Sequence, residues 1–314
     1  MSSFRISKLI PSQSGLTGSK IIDISLDASY QIAFPAVDWN GTLYLSGWNG
    51  FLTKPLPFWI VENGLHKVFD LPFWGTMTWG ATLPDGRWIM PCGDNISGAF
   101  SALMSYKKGD GIDTLCGSLT ETTRDFTSGT GLTSRFTNIN FAKADESGNI
   151  FIGHTGDTKA DIIKVSPNGD TNLVYEIDHP GSNQYVPYSV AVDPSGRIFT
   201  CLTFNDYTVG SPTYLSAVTN LYRVKGGQLD LVAPIEDDAR IGYADNMSMT
   251  ESGDIIAVCT SLSQSFTDAR MRIWKISPSG ERNVLYSTGW VAQSGFNYYA
   301  DVDRFGNIYF VRPI

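Results

Sequence analysis

The sequence has little charge. Charged residues make up 17% of its 314 positions, where soluble domains average roughly 25%. The balance is acidic, 23 Lys and Arg against 31 Asp and Glu, for a net charge of −8. That excludes a basic surface for nucleic acid or an anionic membrane. Long apolar runs are also missing. Stretches such as Phe58–Val61 fall far short of the roughly 20 apolar residues of a membrane helix. The opening MSSFRISKLIPSQSG has no continuous apolar core after its two basic residues, so no secretory leader is expected, and synthesis in the cytoplasm is. The four cysteines, Cys92, Cys116, Cys201 and Cys259, form no CxxC pair and show no zinc spacing. They are expected to be free, buried and apolar in role. Histidine is scarce, with only His66, His154 and His179, and neither HExxH nor GxSxG occurs. This removes the main motifs of zinc proteases and α/β-hydrolases. Gly129-Thr130-Gly131 is at most half of a dinucleotide fingerprint, with no strand running into it.

What is present is a repeat. An alternating apolar strand, an acidic or turn residue, a glycine and a second apolar strand recur six times. The copies are AVDWNGTLYLSG from Ala36, ATLPDGRWIMPCG from Ala81, AKADESGNIFIG from Ala142, AVDPSGRIFTCLT from Ala191, SMTESGDIIAVCT from Ser248 and DVDRFGNIYFVRP from Asp301. Their glycines, Gly41, Gly86, Gly148, Gly196, Gly253 and Gly306, supply the positive φ of tight hairpins. A second alternating hairpin follows each of the first five copies, starting near Phe58, Ala102, Ile162, Leu221 and Ile273. Two hairpins make a four-stranded unit of about 50 residues, the size of one propeller blade. The sixth copy stops two strands short, and Phe4–Ser25 has the missing strand–turn–strand form. The expectation is one all-β domain over residues 1–314, a six-bladed β-propeller. Its last blade combines residues 296–314 with residues 1–27, which removes open sheet edges.

Loop length then separates two faces. One carries minimal turns. The other is expected to carry Ser46–Pro57, Gly93–Ser101, Cys116–Arg135, Thr203–Asn220 and Thr260–Arg270. Long loops on a rigid scaffold are where binding concentrates. The candidate binding residues on that face are Trp48, Asn49, Phe51, Asn95, Phe126, Phe204, Asn205, Tyr207, Tyr214 and Phe266. Rigid aromatics beside small polar groups suit a glycan or a protein partner.

Counting back eight residues from each turn glycine gives one ring of channel-facing positions: Ala33, Thr78, Asn140, Tyr188, Asp245 and Tyr298. In forms such as AVDPSGRIF and DVDRFGNIYF the chain resembles six-bladed propellers with NHL-type repeats, and with them the gluconolactonase and senescence-marker-protein enzymes. The resemblance implies a channel Ca2+ held by Glu, Asn and Asp ligands at those positions, and Asn140 and Asp245 match an Asn and the Asp. Ala33 stands where the resemblance implies Glu, and Tyr188 where it implies Asn. One carboxylate and a few amides are a poor set for a hard cation that takes six to eight oxygens.

The reading that follows is a non-catalytic binding or assembly module with no cofactor and no nucleic-acid or membrane partner. Its composition is that of phage tail and virion components that bind a surface glycan or another virion protein. The alternative is a metal-dependent lactonase or phosphotriesterase-like hydrolase with a cation at Asn140 and Asp245.

Overall fold

The structure is a computed structural model. It describes residues 2–12, 15–26, 31–37, 41–48, 56–61, 64–71, 74–75, 80–93, 100–107, 110–119, 125–136, 138–180, 183–207, 214–235, 241–263, 265, 267–292, 298–303 and 305–314. A long hairpin comes first, β1 (Ser2–Ser12) and β2 (Gly15–Leu26). The first four-stranded unit is β3 (Gln31–Val37), β4 (Leu43–Trp48), β5 (Leu56–Val61) and β6 (Leu65–Leu71). The second has a split inner strand, β7 (Trp74–Gly75) and β8 (Ala81–Thr82), then β9 (Trp88–Gly93), β10 (Phe100–Lys107) and β11 (Gly111–Gly117). The third is β12 (Ile139–Ala144), β13 (Ile150–Thr155), β14 (Lys159–Val165) and β15 (Thr171–Asp178). The fourth is β16 (Gln184–Val192), β17 (Ile198–Tyr207), β18 (Tyr214–Lys225) and β19 (Gln228–Pro234). The fifth is β20 (Ile241–Met249), β21 (Ile255–Leu262), β22 (Asp268–Ile276) and β23 (Arg282–Ser287), with the short β24 (Val291–Ala292) added to β22. The chain ends with β25 (Tyr299–Val302) and β26 (Ile308–Pro313).

Among the described residues these strands form five hydrogen-bonded sheets. The nine-stranded one joins the fourth and fifth units through a single parallel pair, Ala217 with Ile241. Inner strand β16 packs beside β12 and β20, and β25 beside β20 and β3, so the units follow one another around an axis. The fold is a β-propeller. Its closing sheet has the order β2-β1-β26-β25, with β1 paired antiparallel to β26 from Phe4↔Pro313 to Leu9↔Ile308. The two ends of the chain therefore share one sheet, and no covalent bond is needed to shut the ring.

The repeat motif is a latched turn. In AKADESGN, Asp145 N–H donates to Asn149 O at 2.9 Å and Gly148 N–H to Asp145 O at 3.1 Å. Gly148 takes φ +79°, which only glycine adopts cheaply. The Asp145 carboxylate accepts the N–H groups of Ser147 and Asn149 at 2.9 Å and Asn149 Nδ2 at 2.8 Å. Asp303 repeats this with Phe305 and Asn307, and Asp193 with Ser195 and Arg197. The acidic residue of the motif is thus a turn latch rather than a ligand for something outside.

Bulges are as regular as the turns. On each unit's outermost strand one apolar residue is skipped in the register: Ile21, Val68, Leu115, Val174, Val232 and Leu285. Bulges bend and twist a strand, which spoils the straight outer edge that another chain would pair with. Inner strands bulge too, at Ala33, Asn140, Tyr188 and Asp245.

Buried apolar side chains fall into clusters, each between two neighbouring units. Phe4, Ile6 and Val311 of the closing sheet pack with Leu43, Leu45 and Trp59 of the first unit. Phe136 and Ile152 of the third pack with Leu83 and Leu103 of the second. All four cysteines are free and buried, as expected. Burial pushes the Cys116 thiol up to about 12 and those of Cys92 and Cys201 higher still, so these three are unreactive.

Deleting residues 1–25 strips β26 of one partner strand and removes Phe4, Ile6 and Ile24 from the first cluster. The expected product is insoluble, and a soluble fragment with a single cooperative unfolding transition would contradict the closure. Ile150, Ile255 and Ile308 are fully buried, and each is expected to cost about 2–5 kcal/mol as Ala in urea unfolding. Asp85 and Asp193 add a pH dependence. Burial raises each carboxyl, but hydrogen bonds from Arg87, and from Ser195 and Arg197, outweigh it and hold both below the ordinary value. A carboxylate depressed in the fold contributes its stability above the unfolded value of about 3.9 and loses it as pH falls through the folded value. The urea midpoint is expected to drop below roughly pH 4, and less steeply in an Asp85→Asn, Asp193→Asn double variant.

Candidate functional site

A layer five residues before the turn glycines lines the axial channel at Ala81, Lys143, Ala191, Ser248 and Asp301, and the sequence has Ala36 at the same place in the first copy. Four are small. The other two carry opposite charges, and Lys143 Nζ lies 3.7 Å from Asp301 Oδ1. Asp301 also accepts the Val37 N–H at 2.9 Å and a hydrogen bond from Asn246 Nδ2. The Val37 carbonyl accepts the Thr82 hydroxyl at 3.4 Å. One buried carboxylate on the closing sheet thus binds the first, third and fifth units around the axis. The spaces beside it are small, cavities of about 90 and 110 Å³ that share Lys143, Ala144, Met247 and Ser248.

Asn140 and Asp245 are both bulge residues. Asn140 Nδ2 donates to Thr155 Oγ1 at 2.8 Å, and the Asp245 side chain lies outside the described residues. Tyr188 packs its ring 5.0 Å from that of Tyr243. Among the described residues no three His, Cys, Asp or Glu side chains converge to hold a metal. With Ala33 and Tyr188 in ligand positions, and Lys143 already facing the channel carboxylate, this donor set does not fit a divalent cation.

Much of what the sequence marks as loop is strand: Thr203–Asn220 is the tall hairpin of β17 and β18. Asn205 is buried within it, and the Phe204 ring packs 5.0 Å from Tyr185. Trp48, Tyr207 and Tyr214 lie at strand ends, with side chains outside the described set. Asn49, Phe51, Asn95 and Phe266 lie outside the described residues altogether.

Among the described side chains of this set, Phe126 lines a substantial space. The crossover from β11 to β12 folds back on the third unit's outer hairpin, through Gly131 N–H to Gly169 O at 3.1 Å and Thr171 N–H to Gly129 O at 3.0 Å. Asp125 accepts both the N–H and the hydroxyl of Thr158. A Cβ on Gly129 would sit 2.6 Å from Thr133 Oγ1, so close packing is the physical reason for this glycine. Between crossover and hairpin lies a cleft of about 750 Å³, walled by Asp125, Phe126 and Ser128 and floored by Lys159, Asp161, Asn172 and Glu176. Ligand clefts run roughly 300–1,000 Å³. Beneath it a fully buried His154 donates from Nδ1 to Asp161 Oδ2 at 2.8 Å. His154, Asp161 and Glu176 share one rung of the sheet. Among the described residues His154 Nε2 has no partner.

No protein-family model matches the sequence, and no curated protein matches it. Solved structures do. A puromycin hydrolase superposes with a TM-score of 0.50 at 12% identity over 95% of this chain, which spans 44% of that enzyme's length. An ulvan lyase, a polysaccharide lyase, gives 0.51 at 10% identity over 88% of this chain and 73% of its own. Regucalcin, a calcium-binding protein from Agrobacterium tumefaciens, gives 0.48 at 14% identity over 90% of both chains. At such identities these likenesses show the fold alone.

Asp301→Ala leaves Lys143 and the Val37 N–H without their shared acceptor. It is expected to cost about 3 kcal/mol or more, read in urea unfolding, whereas Asp301→Asn keeps an acceptor oxygen and costs less. Wild-type thermal unfolding is expected to be the same in calcium and in EDTA. A calcium-dependent rise abolished by Asp245→Ala would restore the channel cation.

Proposed function

We propose that the chain is a non-catalytic binding and assembly module, and that its propeller has six blades of the NHL type. The nine-stranded sheet counts as two blades, since it holds two antiparallel four-stranded runs that meet at one parallel pair. The turn form of AVDPSGRIF supports the NHL type. The observation that carries the function is where the protein leaves room. The axis is crossed by its own ion pair beside cavities of about 90 and 110 Å³, while the blade-side cleft offers about 750 Å³. A cleft with an aromatic wall and hydroxyl, amide and carboxylate groups suits a polyhydroxylated ligand, and a surface glycan is the partner we favour. The Ser, Thr, Asn, Gly and aromatic-rich composition supports a place on a phage tail or virion, where many copies add avidity. The hydrolase alternative, with a cation at Asn140 and Asp245, keeps its spacing but has the unsuitable donor set described above.

Binding of the labelled full chain to a glycan array tests this. Saturable binding is expected, weakened about tenfold or more, or roughly 1.4 kcal/mol, by Phe126→Ala. Binding that survives this change and is lost on deleting residues 208–213 would move the site to the β17–β18 hairpin. Capture of a protein partner with no glycan bound would replace the ligand.

A further inference from the structure

The cleft has a charge pattern that glycan binding alone does not call for. Resting on its reading as the ligand site, we propose that it selects ligands bearing a protonated amine on a hydroxyl-rich frame, namely amino sugars with free amines. Among the described residues three carboxylates line it, Asp125, Asp161 and Glu176, against one ammonium, Lys159. Lys159 is already engaged, 2.8 Å from Glu176 and 4.0 Å from Asp178. Asp125 holds Thr158 in the crossover contact.

Asp161 is different. It is 3% exposed yet forms part of the cleft floor. One of its oxygens accepts His154 Nδ1–H at 2.8 Å. The described residues supply no hydrogen-bond donor for the other. A carboxylate this buried ordinarily has its oxygens satisfied. Here the fold fixes the group from behind, with a histidine at 0% exposure, and leaves an acceptor position open on the cleft side. A charged donor is the natural complement, because N–H···O bonds between ionised groups are about twice as strong as neutral ones. Phe126 also lines the cleft while packing against the core beneath it, and aromatic rings attract cations. Ser128 and Asn172 offer neutral hydrogen-bonding groups for sugar hydroxyls. An anionic sugar would meet the surplus of carboxylates over ammonium.

The test is calorimetric titration of the full chain with three oligosaccharides: a glucosamine oligomer at a pH where its amines are protonated, the same oligomer N-acetylated, and an oligogalacturonate. The free-amine oligomer is expected to bind roughly tenfold tighter than the N-acetylated one, with a preference that shrinks as salt rises, and the oligogalacturonate not at all. Asp161→Asn, which keeps an acceptor for His154, is expected to bring the amine and N-acetyl oligomers to parity. Should that variant fail to fold, Glu176→Gln lowers the charge on the same rung without touching the histidine pair, and is expected to halve the salt dependence or more. Equal binding of the amine and N-acetyl forms by the wild type overturns the selectivity while leaving the glycan reading intact. Failure of all three to bind overturns the proposal, and the array then decides whether the glycan reading falls with it.

Discussion

The buried carboxylate of Asp301 is the point on which this ring depends. It sits on the sheet made from both chain ends and takes hydrogen bonds from the backbone of Val37 and the side chain of Asn246, with Lys143 facing it across the axis. A ring shut by strand pairing alone could open at the β1–β26 seam. Asp301 ties that seam to three other units from the inside, where the local dielectric is low and each such bond counts for more. The same device fills the axis.

Much of the fold was legible. The turn glycines, the alternating hairpins and the two-strand deficit at the end of the chain all point to a closed antiparallel ring, and the β1–β26 register follows that logic. The bulges were not legible. A strand has a side-chain period of two, and one skipped residue reverses it. Counting eight back from each glycine lands on the skipped residue itself at Ala33, Asn140, Tyr188 and Asp245. Counting five back stays on the regular side of the bulge and finds the layer of alanines, serine, lysine and aspartate that lines the axis. That column was visible in the aligned repeats, since three of its six positions are alanine.

The cleft was legible only in part. Phe126 stood out as an aromatic in a long Ser/Thr/Gly stretch, but its neighbours come from the next unit along. Nothing in the sequence says that the crossover lies back on the Ser166–Asp170 turn, because the contact is made chiefly by backbone groups of Gly129, Gly131 and Gly169, joined by the Thr171 hydroxyl. His154 and Asp161 were within reach. They face each other across the β13–β14 hairpin, and locating its short turn at Gly156–Thr158 would have paired them. The two residues lie seven positions apart, a spacing that no short motif covers.

The bulged outer strands have a consequence beyond shape. A propeller offers its rim to the surroundings as a series of strand edges, and a straight edge is an invitation to any other strand. Here each rim strand is interrupted at one apolar residue, Ile21, Val68, Leu115, Val174, Val232 or Leu285. Molecules crowded side by side therefore cannot zip together through their backbones. A molecule that meets this rim finds side chains and loops before it finds a free backbone edge.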